Sequence, residues 1–165
     1  MSLAPRIATH LQNTGVNYEL IAHQPSHSSM QSAVLARIPP KQLAKAVVTH
    51  DGDRYRLCVI PTDHRLMMDW LDEHMHGHFT LADEQELMAW FEDCVEGAVP
   101  ALGQAYGMPV TWDDALAEAE DIYFECGDHQ HLVHLKRSTF MELMGRQDHA
   151  RISCPADDQL AWMIH

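Results

Sequence analysis

No two cysteines of this 165-residue chain are close enough to make a CxxC pair. Cys58, Cys94, Cys126 and Cys154 are spread through the sequence, which signals neither a zinc knuckle nor a redox dithiol and leaves reduced, mostly buried thiols as the expectation. Long apolar runs are also missing. AKAVV and LCVI fall far short of the ~20 residues that cross a bilayer. The opening MSLAPRIATHLQNTG has no continuous apolar stretch and no small-residue cleavage signal, so the chain reads as soluble and cytoplasmic, with no membrane partner. GxGxxG, GxxxxGK followed by Ser or Thr, GxSxG and HExxH do not occur. Dinucleotide and nucleoside-triphosphate chemistry and the common serine hydrolases are therefore without support.

Basic residues are scarce. Eleven Lys and Arg face twenty-four Asp and Glu, giving a formal charge of -13, which disfavours non-specific DNA binding, since that rests on neutralising phosphates. The distribution is uneven: between Leu66 and Leu135 there is no Lys or Arg, whereas Arg37 to Arg65 holds six of the eleven. A polyanionic ligand would have to land near Arg37, Lys41, Lys45, Arg54 or Arg56. With 46% apolar residues and no repeat or linker, residues 1–165 read as one domain with a substantial core.

Pro5, Ile7, Leu11 and Gly15 predict a short helix stopped at a glycine. YELIAH (18–23) reads as a strand, and Ser28 or Ser29 caps a helix that Pro39-Pro40 must end. AKAVVTH (44–50), a turn at 51–53 and RYRLCVIP (54–61) predict a β-hairpin. Asp63 is expected to start a helix through Leu66, Met67, Trp70 and Leu71, and Asp83 with Glu86 to cap another. GAVPALGQAYGMP (97–109) is too rich in Gly and Pro for regular structure. PVTW, DIYFEC and HLVHLK (109–112, 121–126, 131–136) read as strands, and Ser138 as the cap of a last helix through Phe140, Leu143 and Met144. The fold class is α/β of the α+β kind, a mixed, largely antiparallel sheet with helices outside.

His74-x-His76-x-His78 and His129-x-His131-x-x-His134 could converge on an ion, but nothing else in the sequence supports a metal site, and neither metal nor cofactor is expected. What remains is Lys45 near the start of an apolar strand, the Gly/Pro loop at 97–103, and Gly127-Asp128-His129 between two strands. An ammonium withdrawn from water costs several kcal/mol unless paired, which marks Lys45.

The order of these features resembles the YbaK/prolyl-tRNA-synthetase-associated domain family of aminoacyl-tRNA deacylases and editing domains. The carriers are His23 with SSMQSA (28–33), LAKAVV (43–48), VIP (59–61), GAVPALG (97–103), Asp113 and CGDH (126–129). The resemblance implies a barrel-like sheet core and a freestanding hydrolase acting in trans on mischarged tRNA. Its catalytic set is Lys45, holding a phosphate or the terminal adenosine, with the Gly97, Ala98 and Val99 loop offering N–H groups to the ester carbonyl. Ser29, Pro61, Pro100, Ala101, Gly103, Gly127 and His129 would shape the substrate pocket, and Arg37, Lys41 and Arg56 would contact tRNA. The implied partners are the aminoacyl-tRNA acceptor end and, optionally, a synthetase. No side-chain nucleophile is implied: the substrate's own ribose hydroxyl helps to position water. One departure stands out. Gly97-Ala98-Val99-Pro100-Ala101 carries its proline one place earlier than the family's GxxxP, which removes one N–H and re-aims its neighbours. A non-catalytic binding module on the same fold is the alternative reading.

Overall fold

The structure, a computed structural model, describes residues 3–157. In chain order its first elements are α1 (Pro5–Thr14), β1 (Glu19–Ala22), α2 (Ser29–Ala36), β2 (Leu43–Asp51), β3 (Arg54–Pro61) and β4 (His64–Leu66). Then come α3 (Met68–Met75), β5 (Thr80–Leu81), α4 (Glu84–Trp90), β6 (Val110–Asp113) and β7 (Asp121–Glu125). β8 (His131–Lys136), α5 (Arg137–Met144), β9 (Asp148–Ala150) and β10 (Ser153–Pro155) complete the order. No helix among the described residues is long and apolar enough to cross a membrane.

The main sheet runs β1-β8-β7-β2-β3-β6-β9, with β5 paired to β2. The predicted hairpin is its centre: β2 and β3 pair antiparallel from Ala44↔Pro61 to Asp51↔Arg54. Tight turns also make β7 and β8 antiparallel, whereas β6 returns to β3 after a long excursion and lies parallel to it. β2 pairs β7, and β6 pairs β9, in parallel. The sheet is mixed and largely antiparallel, as the strand pattern predicts.

Strand alternation divides the hairpin between two interiors. Ala44, Val48, Leu57 and Val59 join the larger core with Val110, Phe124, Val133, Ile7 of α1 and Phe140 of α5. On the opposite face Cys58 and Ile60 pack with Leu71 of α3, and Leu43 packs with Ala33 of α2 and Leu132. Lys45 alternates with Leu43 and Val47, so it belongs to this second face.

Several local readings hold for the expected reasons. Gly15 closes α1 in the left-handed conformation, Ser28 accepts the Gln31 N–H at the start of α2, and Asp83 with Glu86 forms a complete capping box on α4. Others are corrected. Asp63 starts no helix: residues 64–66 form β4 against β10, and α3 begins only at Met68. The partner strand lies about ninety residues away, outside any local periodicity. Ser138 does not cap α5, which starts at Arg137 after Lys136 with no side-chain cap. The loop at 97–109 contains a 3-10 turn at Gly103–Tyr106, and β9 and β10 had no signal in the sequence.

Asp113 secures this closing segment. Its Oδ2 accepts from Ile152 N–H (2.9 Å) and Ser153 Oγ (2.7 Å), and its Oδ1 from Ala115 N–H (2.8 Å). Asp113→Ala strands the buried Ile152 N–H and the half-buried Ala115 N–H, leaves Ser153 Oγ with His64 Nδ1 alone, and is expected to cost about 2 to 3 kcal/mol in urea unfolding. The exposed neighbour Asp114→Ala should stay within about 0.5 kcal/mol.

Candidate functional site

Lys45 is half-buried on β2, and its Nζ donates to the His64 carbonyl at 3.3 Å. Burial pushes its pKa below the ordinary lysine value, and Asp63 partly offsets that. Ile60 faces it across β3, and on the other side Glu125 stands one step beyond the paired Ala44 and Phe124. The lysine thus shares a sheet face with Glu125, whose side chain opens a second polar cluster.

That cluster holds the glycine loop. Glu125 Oε2 accepts from Ser32 Oγ at 2.9 Å and lies 3.3 Å from His129 Nδ1. His129 Nε2 reaches the Glu96 carbonyl at 3.0 Å, and Ser26 Oγ joins Ser32 Oγ at 2.6 Å. Ser26, Ser32, Glu125 and His129 are all buried, and among the described residues Glu125 Oε1 has no partner. Burial, the largest influence on His129, lowers its pKa, but the Glu125 hydrogen bond and charge with the Glu96 carbonyl outweigh it and leave the imidazole raised.

Gly97 sits directly on this cluster with φ +82, where a Cβ would stand 2.8 Å from His129 Nε2 and 3.3 Å from the His27 carbonyl. Only glycine adopts that conformation in that space without strain. Ala98 N–H donates to Val95 O at 3.1 Å, and Val95 N–H to Gly127 O at 2.8 Å. Among the described residues the Gly97 and Val99 N–H groups have no acceptor. Both N–H groups stand within two residues of the Glu96 carbonyl that His129 Nε2 contacts.

Residues 23–143, well over half of the chain, match the family model of the aminoacyl-tRNA editing domain. The chain belongs to that family. Solved structures share the editing domain's fold at low identity. A candidate trans-editing enzyme for prolyl-tRNA synthetase is 17% identical, with a TM-score of 0.80 over 92% of this chain and 96% of its own. The hypothetical protein APE2540 is 19% identical, with a TM-score of 0.80 over 90% of this chain and 99% of its own. A candidate signal-transduction protein from Marinobacter aquaeolei VT8 is 14% identical, with a TM-score of 0.74 over 90% of this chain but 30% of its own. No curated protein matches.

In this editing domain Gly97, Ala98, Gly127 and His129 come together, and the His27 carbonyl links them to the first turn of α2, where Ser29 stands. Gly127 backs the loop onto α1, since a Cβ there would meet Ala4 at 2.9 Å. Pro61 lines a groove of about 400 Å³ with Lys41 and His64. Pro100 and Gly103 are buried, and Ala101 belongs to the larger core. Arg37 is the exposed left-handed cap of α2. Arg56 lies four residues from Ile60 along β3, about 13 Å at the usual strand rise, and donates to the Val110 carbonyl and Thr111 Oγ1. Among the described residues no three of His, Cys, Asp and Glu are placed to share an ion, and His74, His131 and His134 each bond an aspartate.

Ser26, Ser32, Glu125 and His64 were not legible as site residues. Glu125 and His129 are four apart, but across a strand end and a turn, where that spacing carries no directional signal. Gly97→Ala is expected to cost about 1 to 2 kcal/mol from its backbone conformation and to displace the His129 ring. Gly15→Ala, with positive φ and nothing within 4 Å, isolates the backbone cost. Urea unfolding and the His129 Hε1 chemical shift measure the two effects.

Proposed function

We propose that this chain hydrolyses the ester of mischarged aminoacyl-tRNA, acting in trans as a freestanding cytoplasmic domain. The observation that carries the reading is a half-buried lysine, bonded to the His64 carbonyl, on the sheet face shared with Glu125, the carboxylate that holds His129 beside the Gly97 loop. An aminoacyl ester is already activated, so the protein has to fix it, polarise its carbonyl and admit water. Gly97 and Val99 N–H groups would receive the carbonyl oxygen as it gains charge, each such donor being worth about 3 kcal/mol in the transition state. Ala98, whose N–H is already used, would shape the loop and donate nothing.

Lys45 would hold a phosphate or the terminal adenosine region of the acceptor end, with Lys41 placing a neighbouring phosphate at the mouth of its groove. Water adds to the carbonyl carbon, the bond to the ribose oxygen breaks, and that oxygen leaves with a proton. The adjacent ribose hydroxyl orients the water, so no side-chain nucleophile is required. Selection among amino acids follows from pocket volume, at about 1 to 3 kcal/mol per methylene. The charge of -13 makes affinity for tRNA weak and salt-sensitive.

One observation favours a non-catalytic binding module: Pro100 stands one place early, and the neighbouring Ala98 N–H is spent inside the loop. A panel of alanyl, cysteinyl, seryl, threonyl and prolyl esters of mischarged tRNA separates the readings. Deacylation of one ester, slowed about a hundredfold or more in Lys45→Ala as expected for loss of a positioning charge, supports the hydrolase. No ester turned over faster than spontaneously supports the binding module, and a gain of turnover in Ala101→Pro would trace the loss to the loop.

A further inference from the structure

Both ring nitrogens of His129 are committed, and each commitment makes a demand on a proton. Nε2 lies 3.0 Å from the Glu96 carbonyl oxygen, which only accepts, so this contact needs Nε2–H. Nδ1 lies 3.3 Å from Glu125 Oε2, an ion-pair contact that is attractive only with Nδ1–H, and 3.4 Å from Ser26 Oγ, which can accept from it or donate to it. A neutral imidazole carries one N–H and cannot satisfy both. The Nδ1–H tautomer turns a lone pair on the Glu96 carbonyl, and the Nε2–H tautomer turns one on the carboxylate. We propose that Glu125 is a positioning residue that holds His129 doubly protonated, so that Nε2–H latches the Gly97 loop at low pH and releases it as pH rises.

The surroundings fit this role. Glu125 and His129 are 2% and 5% exposed, so water does not replace either bond cheaply. The charged and polar groups facing the ring are Glu125 from β7, Asp128 beside it, Ser26 before α2 and Ser32 within it. His27 contributes the carbonyl against which Gly97 rests. His129 itself has φ +58, a conformation uncommon outside glycine, which the two ring contacts help to hold. The raised imidazole pKa gives the sign. The latch contributes fully below the ordinary histidine value of 6.5 and is lost as pH rises through the higher folded value.

Glu125→Gln tests the proposal because it keeps the shape and reverses the hydrogen bonding. An amide NH2 in place of Oε2 donates to Nδ1 of a neutral His129 and to Ser32 Oγ. Ser32 then turns its hydrogen to Ser26 at 2.6 Å, and Ser26 donates to the His129 carbonyl at 3.2 Å. The His129, Ser32 and Ser26 contacts are satisfied with Nε2–H still on Glu96, the amide oxygen standing where Oε1 already lacks a partner among the described residues, and the latch no longer needs the second proton.

The kinetic arm rests on the proposed deacylation, whereas the spectroscopic arm does not. In wild type the Gly97 amide NMR signal is expected to shift with the same midpoint as the His129 ring. Above that midpoint kcat, relative to spontaneous hydrolysis, should fall about tenfold per pH unit. In Glu125→Gln both are expected to stay flat from about pH 6 to about pH 9. A wild-type Gly97 signal that ignores the His129 titration overturns the latch, as does a variant that keeps the wild-type midpoint. A variant that fails to fold leaves the decision to the wild-type titration. A wild type that hydrolyses no ester overturns the deacylase reading, and the NMR arm still decides the latch.

Discussion

The ladder between β2 and β3 divides the protein into two unlike interiors, and the rest of the structure follows from that division. Its eight paired positions fix which residues face each way, since a slip of one would turn Ala44, Val48, Leu57 and Val59 out of the larger core. The same register carries Lys45 to the other face. There the ammonium is far enough from solvent to be perturbed, and it bonds the His64 carbonyl. Parallel pairing of β7 against β2 then sets Glu125 one position beyond the last paired residues. A central hairpin thereby fixes the lysine and the base of the loop cluster on one rigid frame, which suits a site that works by positioning.

The glycine loop is held by polar chemistry at Gly97 and by packing beyond it, where Ala98, Ala101 and Leu102 are fully buried. A buried carboxylate and imidazole cost desolvation, and such a pair adds stability only where its remaining hydrogen-bonding capacity is met. Ser26 and Ser32 meet part of it here, while Glu125 Oε1 is left without a partner among the described residues. An arrangement of that kind gives the loop one geometry at a cost in stability. It also makes loop geometry depend on protonation, because a carbonyl and a carboxylate ask the same imidazole for two hydrogens.

The net charge gains meaning from this architecture. Lys41 lines a groove with Pro61 and His64 in which Glu118, Glu120 and Asp121 also stand, and Lys45 reaches the His64 carbonyl from β2. Arg56, although close to them in the sequence, is turned to the far end of the sheet and bonded to β6. Clustering along the chain is therefore a poor guide to clustering in space once a hairpin has separated its two arms.

Sequence alone determined the elements whose causes are local. The hairpin turn, the glycine stop of α1, the serine cap of α2 and the capping box of α4 each depend on residues within four positions, and so they were readable. Ordered motifs also carried the family, because Lys45, the Gly97 loop and the Gly127-to-His129 turn keep their order whatever folds between them. Tertiary structure decided the rest. Residues 64–66 are a strand because Ser153–Pro155 arrive beside them, although their apolar spacing argues for helix. Ser32 and Glu125 meet across 93 positions of sequence, and Ser26 and His129 across 103. Hydrogen bonds act over about 3 Å in space, and nothing in a linear pattern records which distant side chains will be brought within that reach.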